Sequence, residues 1–138
     1  MSKKEVTLFI VEDDDIDYMT IERSLNKKMV ANTIVRAKDG QEALEMLDRG
    51  EVPSPYIILL DIQMSRMNGL EFLKKVRSHP VHHKSVVFML TTSKNEKDIL
   101  QSYENHSAGY FVKEETGNCI VNIVETLEGY WKVACLPE

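Results

Sequence analysis

The sequence predicts an α/β domain in which helices cover both faces of a parallel β-sheet. Short, unbroken apolar segments rich in β-branched or aromatic residues recur along the chain, which is typical of buried parallel strands. Segments with helical periodicity alternate with them, and no repeat or low-complexity stretch interrupts this alternation. A chain of 138 residues has the length of one ordinary domain, so we expect residues 1–138 to form a single unit.

Five segments are predicted to form the strands of this sheet. Four are continuous apolar runs, whereas the second alternates in polarity and is therefore placed near an edge of the sheet. In chain order the predicted strands are Val6–Val11, Asn32–Ala37, Tyr56–Leu60, Val86–Leu90 and Tyr110–Val112.

Five helices are predicted between and after the strands. The second has the clearest boundaries, because Asp39 is a favourable N-cap and Gly50 is a typical stop signal. The others are indicated by apolar residues three and four positions apart, the spacing of an amphipathic helix. The first is defined by Tyr18, Ile21, Leu25 and Met29, the third by Gly69–Ser78, the fourth by Glu96–His106, and the last by Ile120, Ile123, Val124, Leu127 and Trp131.

Composition and charge limit the kinds of partner and the cellular compartment that we expect for this protein. A net charge of −5 without any basic block argues against nucleic acid as the main partner. The N-terminal segment "MSKKEV" lacks an apolar signal core, and no apolar run is long enough to span a bilayer, so no membrane association is expected. Cys119 and Cys135 show no pairing pattern. We therefore expect a cytoplasmic protein with reduced thiols.

Charged and hydroxyl-bearing residues follow four of the predicted strands. Glu12 and Asp13 come after the first strand, Asp61 after the third, Thr91 after the fourth and Lys113 after the fifth. Ligand sites in open α/β sheets form at the carboxyl ends of the strands, so these side chains are expected to share one rim. Three carboxylates there suit Mg²⁺, and one of them could attack phosphorus while the ammonium and hydroxyl hold the phosphoryl oxygens.

Four ordered motifs identify a family that carries this constellation. "VEDD" follows the first strand, "LLDIQMSRMNG" the third and "MLTTS" the fourth, while "GYFVK" spans the fifth. Together they closely resemble the receiver domain of two-component response regulators over nearly the whole chain. The resemblance implies a flavodoxin-like receiver fold, which is a doubly wound five-stranded sheet of order 2-1-3-4-5 with five helices.

The resemblance also implies a role for individual residues and a function. The protein would be a phosphoacceptor in a two-component phosphorelay, with Mg²⁺ as its cofactor. It would catalyse only its own phosphotransfer and autodephosphorylation. The implied roles are Asp61 as the residue phosphorylated by a histidine kinase, Glu12 and Asp13 as the acidic pair, Asp13, Asp61 and the Gln63 carbonyl as metal ligands, Thr91 and Lys113 as phosphoryl contacts, and Tyr110 as the rotating aromatic of the switch.

The C-terminal half resembles a narrower group, the short regulators partnered with bacterial phytochrome histidine kinases. The segments that carry this likeness are "LTTSKNEKDILQSYENHSAGYFVK" and "YWKVACLP". The likeness implies a sensor histidine kinase as partner, no output domain, and a homodimer through the fourth helix, fifth strand and fifth helix. Aromatic residues favour interfaces, so Tyr103 and Tyr130 are predicted to contribute to the dimer contact. For Trp131, a place in the interface and a place in the core are equally expected.

The sequence departs from the family pattern at four positions. Glu12 stands where many receivers have Asp, and Ser65 where Pro is common. Thr92 is larger than the usual Ala or Gly, which predicts restricted access to the phosphoryl group. Glu114 replaces the Pro that usually follows the switch lysine.

Two alternative functions use the same acidic residues. The stretch "DIDYMT" has the D-x-D-x-x-T pattern of haloacid-dehalogenase-type phosphatases, although Asp15 falls four residues beyond the strand. A degenerate receiver that only binds partners is the other alternative, and the complete set of acids and lysine argues against it. Asp14, Asp15 and Asp17 by themselves are predicted to be a solvated helix start.

Two metal-site interpretations are rejected from the sequence. The spacing of Asp13, Asp15 and Asp17 resembles a calcium loop, but Tyr18 occupies the position where such a loop needs glycine. The segment "HPVHH" has no matched ligands and is predicted to be a surface loop.

Overall fold

The predicted fold class is confirmed. The computed structural model describes residues 5–27, 33–113 and 118–137, without the side chains of 27, 118–121, 124 and 131. Five parallel strands form one sheet in the order β2-β1-β3-β4-β5, with helices between them. In chain order the elements are β1 (Thr7–Val11), α1 (Asp15–Lys27), β2 (Ile34–Ala37), α2 (Gly40–Asp48), β3 (Tyr56–Leu60), α3 (Gly69–Arg77), β4 (Val86–Thr91), α4 (Glu96–Glu104), β5 (Gly109–Val112) and α5 (Asn118–Val133).

The register of the strands brings their carboxyl ends to one rim. Val11 of β1 is aligned with Leu60 of β3, so the residues that follow them, Glu12 and Asp61, are neighbours. On the other side of β3, Leu60 is aligned with Met89 of β4. The alternating segment is an edge strand, as predicted, because β2 pairs with β1 alone.

The sheet separates two apolar cores, as alternation along the strands requires. Phe9 of β1 faces the core beneath α2 and α3, where Phe72 and Leu73 are fully buried. Ile10 of β1 faces the opposite core, which α1 and α5 cover. Ile21, Leu25, Ile123 and Leu127 of the predicted helical stripes are buried there.

Some predicted boundaries differ from the structure. β4 extends one residue further, through Thr91, because Thr91 is aligned with Val112 of β5. α4 ends at Glu104, before the predicted His106, because Asn105 caps it and His106 has a left-handed φ of 60°. Predictions for Met29, Asn32 and Glu114, and for the side chains of Cys119, Ile120, Val124 and Trp131, lie outside the described residues.

The side chain of Asp39 caps α2 and also fixes the loop after β3. The carboxylate of Asp39 accepts a hydrogen bond from the N–H of Glu42, which confirms the predicted N-cap of α2. Arg66, in the β3–α3 loop, donates to both oxygens of Asp39 at 2.9 and 3.2 Å. Burial acts to raise the pKa of Asp39, but the Arg66 guanidinium and the N–H of Glu42 outweigh it and lower the pKa. The loop after β3 is thereby tied to the start of α2.

The histidine segment is a structural loop, in keeping with its predicted role. His79 Nε2 lies 2.7 Å from the carboxylate of Asp48, and His82 Nε2 lies 3.2 Å from the Leu47 carbonyl oxygen, so both rings hold the end of α2. Burial, followed by the neighbouring His79, lowers the pKa of His82. Within the described ranges, the one group of three side chains that could hold a metal ion does not include these histidines. It consists of Glu12, Asp13 and Asp61.

Helix α4 contributes little to either core. Its buried residue is a small polar one, Ser102, whose hydroxyl donates to the carbonyl of Ile99 and accepts from Ser107. Leu100 and Tyr103 of the same helix are largely exposed. Across the described part of the chain, no helix is long and apolar enough to cross a membrane.

Candidate functional site

Three carboxylates meet where β1 and β3 end. One oxygen from each of Glu12, Asp13 and Asp61 lies within 4.8 Å of the other two. Glu12 and Asp61 are buried, whereas Asp13 is more exposed. Oxygen ligands from clustered carboxylates are what a hard divalent cation such as Mg²⁺ requires, so the donor set fits that class of ion. The arrangement places all three predicted acids in one site.

Backbone hydrogen bonds between the strands fix two of these acids. The N–H of Asp61 donates to the carbonyl of Val11 at 3.1 Å, and the N–H of Glu12 donates to the carbonyl of Ala37 at 3.0 Å. Arg36, on β2, donates from Nε and Nη2 to the carbonyl of Glu12 at 3.2 and 3.0 Å. The rim therefore positions these carboxylates through the sheet itself.

The loop that follows Asp61 folds back against it. Its return point is Gly69, whose N–H donates to the carbonyl of Ile62 at 2.8 Å. A Cβ atom at Gly69 would lie 2.1 Å from the carbonyl oxygen of Asp61. Only glycine allows this close approach of the two backbones.

Lys113 reaches the carboxylates from the end of β5. Its ammonium donates to Glu12 in a buried ion pair and lies 3.5 Å from Asp61 Oδ2. It also donates to Asp17 Oδ2, on α1, at 3.0 Å. Three carboxylates thus surround one buried cation, which offsets much of their mutual repulsion.

The pKa values of both members of this ion pair are raised, for different reasons. Burial, then the Asp61 carboxylate, raise the pKa of Glu12 to about 8, although Lys113 opposes them. Burial acts to lower the pKa of Lys113, but the charges of Asp61 and Glu12 outweigh it and raise that pKa. Lys113 therefore keeps its charge more firmly than an ordinary lysine, and Glu12 holds its proton more tightly than an ordinary carboxyl group.

Most of the chain matches one known protein family. The model of the response regulator receiver domain matches residues 8–125, which is most of the chain. The chain belongs to this receiver family. Receiver domains are signalling proteins and bind a divalent metal, and the acidic cluster of this receiver is consistent with that property.

Individual relatives agree with the family. Response regulator Rcp1 of Synechocystis sp. (strain ATCC 27184 / PCC 6803 / Kazusa) is 30% identical over 128 residues, covering 90% of this chain and 87% of Rcp1. The crystal structure of the phosphorylated cyanobacterial phytochrome response regulator RcpA superimposes with a TM-score of 0.89 at 31% identity, covering 98% of this chain and all of that one. The Mn²⁺-bound form of Rcp1 gives a TM-score of 0.87 at 28% identity, again covering 98% of this receiver and 100% of that chain.

A chain of hydrogen bonds leads away from the rim of the receiver toward α4. Thr91 is fully buried, and its hydroxyl accepts from the N–H of Ser93 at 3.3 Å. The Ser93 hydroxyl donates to Asp98 on α4 at 2.6 Å, and the Ser93 carbonyl accepts from the hydroxyl of Tyr110 at 2.8 Å. Ser93 therefore links the predicted phosphoryl-contacting threonine, the predicted switch tyrosine and α4. Sequence reasoning did not single it out.

Two exposed side chains lie at the mouth of the receiver site. Gln63 follows Asp61 by two residues, and its N–H lies 3.4 Å from Asp61 Oδ1. The hydroxyl of Thr92 donates to the side-chain oxygen of Gln63 at 3.2 Å. This pair joins the β3 loop to the β4 loop beside Asp61. The predicted role of the Gln63 carbonyl as a metal ligand stays a prediction.

The acids at the start of α1 divide into different roles. Asp14 caps the helix, because its carboxylate accepts from the N–H groups of Ile16 and Asp17 at 2.8 and 3.0 Å. Asp15 is exposed and pairs with Arg36 at 2.8 Å. The prediction of a solvated helix start holds for these two and is wrong for Asp17, which contacts Lys113. The sequence places Asp17 in the first turn of α1, above the rim, and this position was the signal that could have indicated its contact with Lys113.

This division bears on the phosphatase alternative. A phosphatase of the D-x-D-x-x-T type needs its nucleophile at a strand end, whereas Asp15 is the first residue of α1. The strand-end carboxylates of this receiver are Glu12 and Asp61. The geometry therefore favours a receiver site over a phosphatase site.

The raised pKa of Glu12 predicts that metal binding depends on pH. A carboxylate must lose its proton to bind a metal, and the pKa of Glu12 lies near 8 instead of its ordinary 4.5. Because the folded state holds this proton more tightly than the unfolded state, the contribution of Glu12 to the stability of the metal-free receiver is lost as pH rises from about 4.5 to about 8. We expect Mg²⁺ to raise the melting temperature more at about pH 9 than at about pH 6.

Thermal unfolding with and without Mg²⁺ at both pH values measures this difference. In Glu12→Gln, whose amide cannot titrate, the rise in melting temperature caused by Mg²⁺ should be the same at both pH values. Equal increments in the wild type at the two pH values would contradict the assignment.

Proposed function

We propose that this chain is a phosphoacceptor in a two-component phosphorelay, with Asp61 as the phosphorylated residue and Mg²⁺ as the cofactor. The observation that supports this most directly is the position of Asp61. Its carboxylate lies at a strand end, within 4.8 Å of Glu12 and Asp13 oxygens and 3.5 Å from the Lys113 ammonium. A negatively charged nucleophile with cationic neighbours suits attack on a phosphoryl group, whose own oxygens are negative.

The proposed reaction needs little more than positioning. A carboxylate oxygen of Asp61 forms a bond to phosphorus while the P–N bond of a kinase phosphohistidine breaks, and the imidazole nitrogen keeps the electron pair. Lys113 and the Thr91 hydroxyl would donate to the phosphoryl oxygens. Bound Mg²⁺ would offset the negative charge of the acids and the phosphoryl group. Later attack of water on the phosphoryl group returns Asp61, so the protein acts only on itself.

The direct test is the mass of the intact protein after incubation with acetyl phosphate and Mg²⁺. The wild type should gain one phosphoryl group, and Asp61→Asn should gain none. Asp48→Asn is a matched control, because Asp48 is an exposed acid at the end of α2 that pairs with His79, away from the strand ends. If Asp61→Asn gains a phosphoryl group as fast as the wild type, the assignment of the phosphoacceptor is wrong.

We propose a sensor histidine kinase of the phytochrome type as the phosphoryl donor. Support comes from relatives that are themselves described as phytochrome response regulators, including RcpA and the bacteriophytochrome response regulator AtBRR, which is 30% identical over 99% of this chain. Phosphotransfer from a panel of purified histidine kinases tests the proposal. Preferential transfer from kinases without a phytochrome sensor would contradict it.

The output is proposed to leave through the surface of α4, β5 and α5. The Tyr110 hydroxyl is held by the Ser93 carbonyl, and Ser93 also contacts Thr91 and Asp98. Movement of Thr91 toward a phosphoryl group would therefore disturb both the tyrosine and α4. On this basis we propose Thr91 and Tyr110 as the switch pair. A net charge of −5 argues against nucleic acid as the main partner, and an exposed Cys135 thiol suits a reducing compartment, so we propose a cytoplasmic role.

This surface is also the proposed homodimer interface. Leu100 and Tyr103 on α4 and Val133 on α5 are exposed apolar side chains. Tyr130 is 37% exposed, as expected for an outward-facing residue, but its ring also packs edge-on against Phe88 at 5.2 Å. Its replacement would disturb the core, so Tyr130→Glu is a poor test of dimerisation.

Leu100→Glu is a better probe of the dimer, because Leu100 is 59% exposed. We expect the wild type to sediment as a dimer at high concentration and Leu100→Glu to sediment as a monomer, since a charge would be buried in an apolar interface. Val81→Glu is the control, because Val81 is equally apolar and 74% exposed but lies in the α3–β4 loop. A wild type that stays monomeric, with and without phosphorylation, would exclude the dimer.

A further inference from the structure

Asp17 contacts Lys113 but does not belong to the group of three carboxylates that could hold a metal ion. Asp17 Oδ2 lies 3.0 Å from Lys113 Nζ, closer than the 3.5 Å that separates Nζ from Asp61 Oδ2. The Asp17 side chain is 35% exposed, whereas that of Lys113 is 4% exposed. Asp17 is thus a partly solvated acid that holds a buried cation from the side of α1.

Neighbouring acids on α1 have other partners, which makes this contact specific. Asp14 accepts hydrogen bonds from backbone N–H groups of its own helix. Asp15 pairs with Arg36. Of these three acids, Asp17 is the one whose carboxylate reaches Lys113.

The competition for Lys113 changes once the site carries a ligand. A divalent cation at Glu12, Asp13 and Asp61 would draw on two carboxylates that Lys113 contacts, those of Glu12 and Asp61. Asp17 lies outside that group and keeps its contact. A phosphoryl group on Asp61 would then offer Lys113 new acceptors with up to about two negative charges. Asp17 and the phosphoryl oxygens would therefore compete for the same three N–H donors.

We propose that Asp17 is a positioning residue that holds Lys113 toward α1 and so restrains its contact with the phosphoryl group on Asp61. The inference rests on the proposed function. Without this restraint, Lys113 donates more fully to the incoming phosphoryl oxygens. Asp17 therefore slows phosphorylation, because it limits the hydrogen bonds that Lys113 donates to the phosphoryl oxygens.

The test compares initial rates of phosphoryl gain from acetyl phosphate at saturating Mg²⁺, measured by intact mass. Asp17→Asn should react roughly two- to fivefold faster than the wild type, the range that corresponds to losing a partly exposed ion pair. Asp15→Asn removes the same charge two residues away but frees Arg36 instead, and its rate should match the wild type. Asp17→Glu keeps a carboxylate within reach of Lys113 and should restore the wild-type rate.

Two further measurements separate positioning from a general structural effect. Calorimetric titration should give Asp17→Asn the same Mg²⁺ affinity as the wild type, because Asp17 is outside the cluster. Its melting temperature should stay close to that of Asp15→Asn. A fall in Mg²⁺ affinity would overturn the positioning role.

Failure of this inference is distinguishable from failure of the proposed function. If the wild type gains no phosphoryl group, both are wrong. If the wild type gains it but Asp17→Asn reacts at the wild-type rate, only the inference is overturned. An equal acceleration in Asp15→Asn would assign the effect to net charge, and an Asp17→Glu variant as fast as Asp17→Asn would also overturn the role of the carboxylate.

Discussion

Gly69→Ala is expected to lower the free energy of unfolding by more than about 3 kcal/mol, at the upper end of what overpacking costs. The added Cβ would lie 2.1 Å from the Asp61 carbonyl oxygen, 2.8 Å from its carbon and 2.9 Å from Ile62 Cα. All three are backbone atoms, so no side chain can rotate away. The loop must shift, which breaks the Gly69–Ile62 hydrogen bond and displaces Asp61. Thermal unfolding should show a fall of roughly 10 °C, and phosphoryl gain should be largely lost.

A second glycine provides the matched control for this substitution. Gly129 is in α5, and a Cβ there would have no atom within 4 Å. Gly129→Ala should stabilise the protein by about 0.5–1 kcal/mol, since alanine favours the helix. If Gly69→Ala is as stable as the wild type, the close approach of the loop to Asp61 is wrong.

Lys113→Met is expected to produce the other large effect. The substitution removes a buried cation from between three carboxylates and leaves Glu12 and Asp61 without it. Breaking a buried pair by removing one partner costs about 3 kcal/mol or more. Because Lys113 opposes the rise in the pKa of Glu12, that pKa should rise further in the variant. The loss of stability in Lys113→Met should therefore be small near pH 5, where Glu12 is protonated, and large near pH 9.

Chemical unfolding at the two pH values, with and without Mg²⁺, measures this effect. Mg²⁺ should recover more stability in Lys113→Met than in the wild type, because it supplies the positive charge that the variant lacks. Lys132→Met is the control, since Lys132 is exposed on α5 and pairs with Glu128 one turn away. A Lys113→Met protein that loses no stability at any pH would show that the buried pair contributes nothing.

The sequence was sufficient for the fold and for the main site, and the reason is physical. Buried parallel strands require unbroken apolar runs, so the end of each run marks the rim. Once Val11 and Leu60 are recognised as strand ends, Glu12 and Asp61 must share one rim, and the strand order implied by the family resemblance makes them neighbours. The site residues found this way are those attached directly to the sheet.

Residues that approach the site from helices and loops could not be placed in this way. The contact of Asp17 with Lys113 depends on how α1 is rotated over the sheet, which periodicity does not determine. The central position of Ser93 depends on the turn after β4. Tyr130 is exposed as predicted, but its contact with Phe88 was not predicted, because a long side chain at the border of a helix face can also reach the core.

The weak anchoring of α4 has a consequence for how such proteins diverge. Since Ser102 is its buried residue, most positions on α4 can change without creating a cavity or an overpacked core. Substitutions in α3 are different, because Phe72, Leu73 and Val76 are fully buried. Two descendants of one ancestral chain could therefore acquire different targets through α4 while inheriting the same folded framework. Differences among relatives should accumulate on this helix sooner than on α3.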